Sequence, residues 1–170
     1  LSFQLAPIQE VFKELTSNSA NNPLKIIILF FSMTGLSIFL DEVGLFKYLA
    51  NVAAKKAKNN QYALFTIFYL LTATLTIFTS NDIVILTFTP FICFFCKNSK
   101  ISPIPYLVAE FCAANTWSLM LIIGNPTNIY LATSAGIGFF DYFKIMALPT
   151  LCAGIIEYAV LFLIFNHKLK

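Results

Sequence analysis

Long apolar runs, interrupted at a few short polar places, organise this chain. The first 22 residues are mixed: Leu5, Ile8, Val11, Phe12 and Leu15 recur at roughly helical spacing around Glu10, Lys13 and Glu14. That spacing predicts an amphipathic surface helix, ended by Ser-Asn-Ser-Ala-Asn-Asn-Pro at 17–23. From Ile26 to Leu40 no charge occurs, and with its flanks this run approaches the roughly 20 residues that a bilayer crossing needs. Asp41 and Glu42 end this first span. Leu45 to Ala50 then lead into Lys55, Lys56 and Lys58, the pattern of a helix in the membrane interface with its lysines on the cytoplasmic side.

Next come an apolar run from Tyr62 to Phe78, the polar tetrad Thr79-Ser80-Asn81-Asp82, and a second run from Ile83 to Cys96 closed by Lys97 and Lys100. Read as a helical hairpin, this brings the two lysine clusters to one side of the membrane. The second arm, Ile83 to Cys96, reaches about 21 Å against a hydrocarbon core of about 30 Å. A re-entrant hairpin with its tip near mid-membrane is therefore expected, with a turn outside the membrane as the alternative. Ile104 to Ile123 has span length, but Gly124-Asn125-Pro126-Thr127-Asn128 follows at once, and only from Ile129 to Ala135 does a helical stretch resume. This is the pattern of a broken membrane helix, tolerated where exposed backbone lines a protein-buried cavity. Gly136 to Gly138 reads as a loop, Phe139 to Ala147 as an interfacial segment and Pro149 to Phe165 as the last span. His167, Lys168 and Lys170 return the chain to the cytoplasm.

The predicted class is an all-α polytopic membrane protein with one membrane domain. It divides into 1–23 (amphipathic segment), 24–61 (first span and interfacial helix), 62–100 (hairpin) and 101–170 (broken helix and last span).

Composition agrees. Of 170 residues 58% are apolar and 11% charged, against about a quarter charged in ordinary soluble domains, so a water-soluble fold is excluded. All 11 basic residues are lysine, and with eight acids they leave a net charge of +3, too small and too scattered for a nucleic-acid partner. Cys93, Cys96, Cys112 and Cys152 lie in apolar runs, where thiols pack as small hydrophobes. No phosphate loop, zinc-ligand set or nucleophile elbow occurs, so neither an enzyme nor a resident cofactor is expected. The first residue is leucine and no secretory leader opens the sequence, so the chain is expected to be a fragment of a longer product.

Two polar breaks carry the candidate chemistry. At the hairpin tip, Ser80, Asn81 and Asp82 follow Thr76, and hydroxyl and amide oxygens beside helix ends can replace the water around a small cation. The plain alternative is a solvated turn in which Ser80, Asn81 and Asp82 cap the second arm. In the second break, Gly124 permits close backbone approach, Pro126 removes a donor, and Asn125, Thr127 and Asn128 supply oxygens and amides. Glu110, seven residues into its span, is a candidate for a proton path, with local pairing as the alternative. Glu157 in the last span, Trp117 and His167 read as structural, and the lone Cys93-Phe-Phe-Cys96 pair as packing.

These stretches resemble the ion transporter superfamily of citrate-transporter-like proteins, arsenite permeases and divalent anion/sodium symporters. The resemblance rests on residues 78–90 (Phe-Thr-Ser-Asn-Asp-Ile-Val-Ile-Leu-Thr-Phe-Thr-Pro), Ala114-Asn115, residues 123–128 (Ile-Gly-Asn-Pro-Thr-Asn) and residues 142–149 (Tyr-Phe-Lys-Ile-Met-Ala-Leu-Pro). It implies an elevator-type secondary transporter of two inverted repeats, each giving a re-entrant hairpin and a broken helix to a mid-membrane site, with this chain as the first repeat. By the same resemblance, Ser80, Asn81 and Thr76 are ligands of a cation or substrate, and Gly124 to Asn128 is the opposing loop. Asp82 departs from the threonine of sodium-coupled dicarboxylate members, and arginine is absent from this half. Both departures fit better a proton-coupled or cation-exchanging member, or one moving a neutral or weakly acidic solute such as arsenous acid. The expected function as a whole is secondary transport of a small anion or weak acid coupled to a proton or sodium. The expected partners are the lipid bilayer, that solute, a second inverted repeat and a homodimer mate, with a prokaryotic inner membrane as location. The rival is a non-transporting membrane scaffold or the remnant of a split transporter gene.

Overall fold

The computed structural model describes residues 22–44 and 60–169 and, outside these, Thr16, Ser17, Tyr48, Val52 and Lys55. Apart from those few positions, the expected amphipathic segment and interfacial helix lie outside the described residues. The order is α1 (Pro23–Glu42), α2 (Gln61–Phe78), α3 (Asn81–Ser99), α4 (Ile104–Trp117), a 3-10 turn (Ile122–Gly124), α5 (Pro126–Ser134), α6 (Phe139–Phe165) and a final 3-10 turn (Asn166–Lys168). No strand occurs among the described residues.

Gln61–Phe78, Asn81–Ser99 and Phe139–Lys168 are each long and apolar enough to cross a membrane. Their outward faces are apolar: Leu148, Ile155, Ile156 and Leu163 of α6 are 69%, 58%, 63% and 74% exposed. An apolar surface of this kind is stable against hydrocarbon and not against water. The chain is an all-α, multi-pass membrane protein in contact with the bilayer.

Three expectations change. The second hairpin arm is not short: α3 starts at Asn81 and runs through Lys97 to Ser99, 19 residues against 18 in α2. Polar residues at both ends join the helix, because end positions tolerate them, and arm length therefore does not set the depth of the tip. The span expected from Ile104 to Ile123 stops at Trp117, so the break begins well before Gly124. The segments expected at Phe139–Ala147 and Pro149–Phe165 form one helix of 27 residues with Pro149 inside it. A proline removes one N–H, and in a membrane helix its neighbours absorb that loss.

Local chemistry explains the ends. Asn60 caps α2 by accepting from the backbone N–H groups of Tyr62 and Ala63, at 2.9 and 3.3 Å. Lys100 closes α3 in the left-handed conformation, with φ 55°.

The core is an aromatic knot around Phe68, which is 1% exposed. Its ring meets those of Phe88, Phe91, Phe95 and Tyr106 edge-on, with centroids 5.8, 6.2, 5.8 and 5.9 Å away. Edge-to-face pairs of this separation add to the burial of the rings. Phe88, Phe91 and Phe95 recur at helical spacing, so one face of α3 meets α2. Helix α4 lies at the centre, packed against α2, α3 and α6. Its fully buried Ala109, Ala113 and Ala114 allow that close approach.

Gly154 fits the last span to the core. A Cβ built there sits 2.5 Å from the Trp117 ring. Gly154→Val should therefore push α6 from α4 and lower stability by about 1–3 kcal/mol. Ala153→Val, on the exposed face, should leave the unfolding midpoint in detergent unchanged.

Candidate functional site

Helix α2 ends at the tip of the hairpin, and the Thr79 hydroxyl donates back to the Leu75 carbonyl at 2.7 Å. Ser80 is extended and occupies the N-cap place of α3, yet its side chain makes no capping bond. Asn81 is 5% exposed. Its Nδ2 donates to Asn115 Oδ1 of α4 at 3.2 Å, and Asn115 Nδ2 donates to the Phe111 carbonyl at 2.7 Å. That chain of donors orients the Asn81 amide and leaves Asn81 Oδ1 buried without a partner.

One turn before Ser80, the Thr76 hydroxyl is also buried without a partner. Exposed threonines nearby behave otherwise: Thr74 donates to the Leu70 carbonyl at 2.8 Å, four residues back. Thr76 makes no such bond. Asp82 is exposed in the first turn of α3, where a carboxylate meets the positive end of the helix dipole.

The break in the other helix is held from within. The Ser118 hydroxyl donates to the Asn115 carbonyl at 2.8 Å. Asn128 Nδ2 then donates to the Ser118 and Leu121 carbonyls at 2.9 and 3.3 Å, groups that an unbroken helix would satisfy with backbone N–H donors. Gly124 is buried against this turn, where a Cβ would fall 2.2 Å from the Ser118 carbonyl oxygen. Asn125 caps α5, accepting from the Thr127 N–H at 3.0 Å and from the Thr127 hydroxyl. Pro126 stands in the first turn of α5, where its missing N–H has no intrahelical acceptor to lose.

The predicted residues thus separate into two groups. Thr76 and Asn81 keep unpartnered oxygens, Ser80 is buried beside them, and Asp82 faces outward. Asn125, Thr127 and Asn128 are engaged in holding the break, and no hydrogen bond joins them to Ser80, Asn81 or Asp82 among the described residues. The turn at Ile122–Gly124 packs against both α2 and α6.

Sequence reasoning passed over Asn115 as the partner of Asn81, and Ser118 as the start of the break. The polar run Asn115-Thr116-Trp117-Ser118 was the available signal. Glu110 is 2% exposed, and the Thr89 hydroxyl of α3 lies 3.1 Å from each of its oxygens. Cys93 is exposed and Cys96 buried, both free. No group of three metal-ligating side chains occurs among the described residues.

The family model described as citrate transporter matches residues 2–170. The chain belongs to the citrate transporter family. Among its relatives, the transporter arsB of Dictyostelium discoideum is 28% identical over 144 residues, 85% of this chain and 25% of that protein. The arsenical pump membrane protein of Escherichia coli is 31% identical over 142 residues, 82% of this chain and 33% of the relative. The magnetosome protein MamN of Magnetospirillum gryphiswaldense is 28% identical over 142 residues, 84% of this chain and 32% of the relative. This citrate transporter family member therefore spans a quarter to a third of the length of these relatives. No solved structure matches it at a significant level.

Removing the Asn128 amide leaves the Ser118 carbonyl without its donor and the Leu121 carbonyl with the Gly124 N–H alone, so Asn128→Ala should lower stability by about 1–3 kcal/mol. Asn128→Asp should lose at least as much, because an ionised carboxylate accepts and does not donate. Denaturant unfolding of the protein in detergent measures both.

Proposed function

We propose that this chain forms part of a secondary active transporter, in which the hairpin tip and the broken helix bind the coupling ion and one side of a small anion or weak acid. The observation that carries the reading is the pair of buried oxygens, Thr76 Oγ1 and Asn81 Oδ1, with no partner at the end of the hairpin. A buried acceptor without a donor costs about 1–3 kcal/mol, and a small cation stripped of water offsets that cost. Ser80 and the backbone of Gly124 to Asn128 complete the ion's surroundings as the tip and break approach one another, the arrangement that elevator-type carriers with re-entrant hairpins use. A second inverted repeat supplies the other wall.

Sodium suits the neutral oxygens of the tip, and a proton suits Glu110. Among the described residues the buried Glu110 carboxyl has Thr89 as its one hydrogen-bonding side chain and no paired lysine, so a proton is the counterion at hand. For the solute, a weak acid is favoured over a dicarboxylate. The sequence holds no arginine, which removes the bidentate carboxylate clamp, and Asp82 adds negative charge at the tip. The name of the E. coli relative, an arsenical pump membrane protein, agrees with this preference.

Uptake into vesicles under separate sodium and proton gradients tests the reading. Thr76→Val and Asn81→Ala should each raise the sodium concentration for half-maximal uptake by about tenfold, equivalent to about 1.4 kcal/mol, with insertion unchanged. Sodium dependence untouched in both variants removes the tip from the ion site. Asp82→Asn should shift the ion dependence, and an unaltered profile would confine Asp82 to the helix end. Glu110→Gln should abolish proton-driven uptake and spare any sodium-driven component.

A further inference from the structure

A second carboxyl in a candidate span, away from the tip, sits in a hydrogen-bond knot where one hydroxyl hydrogen faces two acceptors. The Tyr69 hydroxyl of α2 lies 2.7 Å from the Gly154 carbonyl and 3.1 Å from Glu157 Oε2, both on α6. Trp117 Nε1 of α4 donates to the same hydroxyl oxygen at 3.2 Å. A phenol has one hydrogen to give. At 2.7 Å from a carbonyl, which cannot donate, that hydrogen belongs to the Gly154 contact. The oxygen then has the Trp117 N–H on one side and faces Glu157 with nothing to offer. Two bare oxygens at 3.1 Å repel, whereas a carboxyl O–H pointing at the phenol oxygen makes an ordinary hydrogen bond.

No charge nearby changes this count. The ionisable groups facing Glu157 are Tyr69 from α2 and Cys112 from α4, whose thiol hydrogen-bonds the carboxyl. No basic side chain pairs with Glu157 among the described residues.

The knot is also connected. Tyr62, Thr66, Tyr69, Thr72 and Thr76 recur along one face of α2. The Tyr62 hydroxyl donates to the Asn166 carbonyl at 3.1 Å, and the Thr66 and Tyr158 hydroxyls meet at 2.7 Å. Thr72, one turn beyond Tyr69, and Thr150, one turn before Gly154, have buried hydroxyls without partners. Because α2 and α6 run antiparallel, both lie on the tip side of the knot, toward Thr76.

We propose that Glu157 is a proton-binding site of the last span, read by the hairpin through Tyr69 and by the broken helix through Trp117. When Glu157 is protonated, its O–H donates to Tyr69, and the Tyr69 hydroxyl ties α2 to the Gly154 carbonyl. When the proton leaves Glu157 Oε2 for water, the carboxylate takes the Tyr69 hydroxyl hydrogen and the tie to Gly154 opens. The number of hydroxyl hydrogens on Tyr69 is the same in both states, and only the direction of its donation changes. As a coupling site Glu157 rests on the transport reading. As a proton site it stands without that reading, and the experiment below tests the proton site alone.

Trp117 is the single tryptophan of the sequence and is therefore a built-in reporter. In lipid nanodiscs, Trp117 emission should change in one step as pH rises, and Trp117→Phe should abolish the signal. Glu157→Gln should hold the emission at the wild-type acid limit at every pH, because a carboxamide donates as the protonated carboxyl does. Glu110→Gln, Asp82→Asn and Cys112→Ala should leave the step in place. A wild-type emission flat in pH, or a step that persists in Glu157→Gln, overturns the proposal. Tyr69→Phe serves where the Gln variant does not insert. It should abolish the Trp117 step while the infrared carbonyl band of the protonated carboxyl remains, and a full-sized step in Tyr69→Phe overturns the proposal equally.

Discussion

Where a helix breaks beneath packed neighbours its carbonyl groups lose their helical donors, and the Asn128 side chain meets that demand here. Its amide reaches back to the Ser118 carbonyl, left open where α4 stops, and shares the Leu121 carbonyl with the Gly124 N–H. Gly124 leaves room for the returning backbone, and Asn125 starts the next helix with a cap. Water would satisfy the same groups in a soluble loop. In hydrocarbon the choice is an internal donor or no break at all.

Because α4 ends there, the face it presents to each neighbour follows. Glu110 meets Thr89 on α3, Asn115 meets Asn81 at the tip, and Trp117 meets Tyr69 on α2 and Gly154 on α6. The central helix carries these contacts because its alanines let three helices approach it at once. Polar pairs between membrane helices are individually modest. Their value here is registry: Asn81–Asn115 and Thr89–Glu110 fix the slide of the hairpin along α4, while the aromatic knot around Phe68 supplies the area.

The atoms that hold the breaks are not the atoms left unpartnered. Asn125, Thr127 and Asn128 are occupied with the break, and Asn115 with Asn81 and its own helix. Thr76 and the carbonyl end of Asn81 are left over, buried and unpartnered. A protein in lipid does not keep such atoms without a reason, since the penalty for each is near the upper end for a neutral group. Stability and the proposed ion recognition therefore fall on different atoms, although the residues lie in the same two polar breaks.

Patterning was enough for part of this. The scarcity of charge and the uninterrupted apolar runs determined a helical membrane protein, because hydrocarbon admits few other backbone solutions. The two polar breaks were legible for the same reason: Thr79-Ser80-Asn81-Asp82 and Gly124-Asn125-Pro126-Thr127-Asn128 stand out against apolar flanks. What one-dimensional spacing did not reveal was which atom each polar group meets. The Asn128 amide braces the break, the break starts at Ser118, whose carbonyl a side chain ten residues on satisfies, and Phe139 to Phe165 is one helix across Pro149. Glu157 reads as a structural residue in the sequence, and only the fold brings Tyr69 to it together with Trp117 and Gly154. Burial and hydrogen-bond partners arise from contacts between helices distant in sequence, and those only the tertiary structure decided.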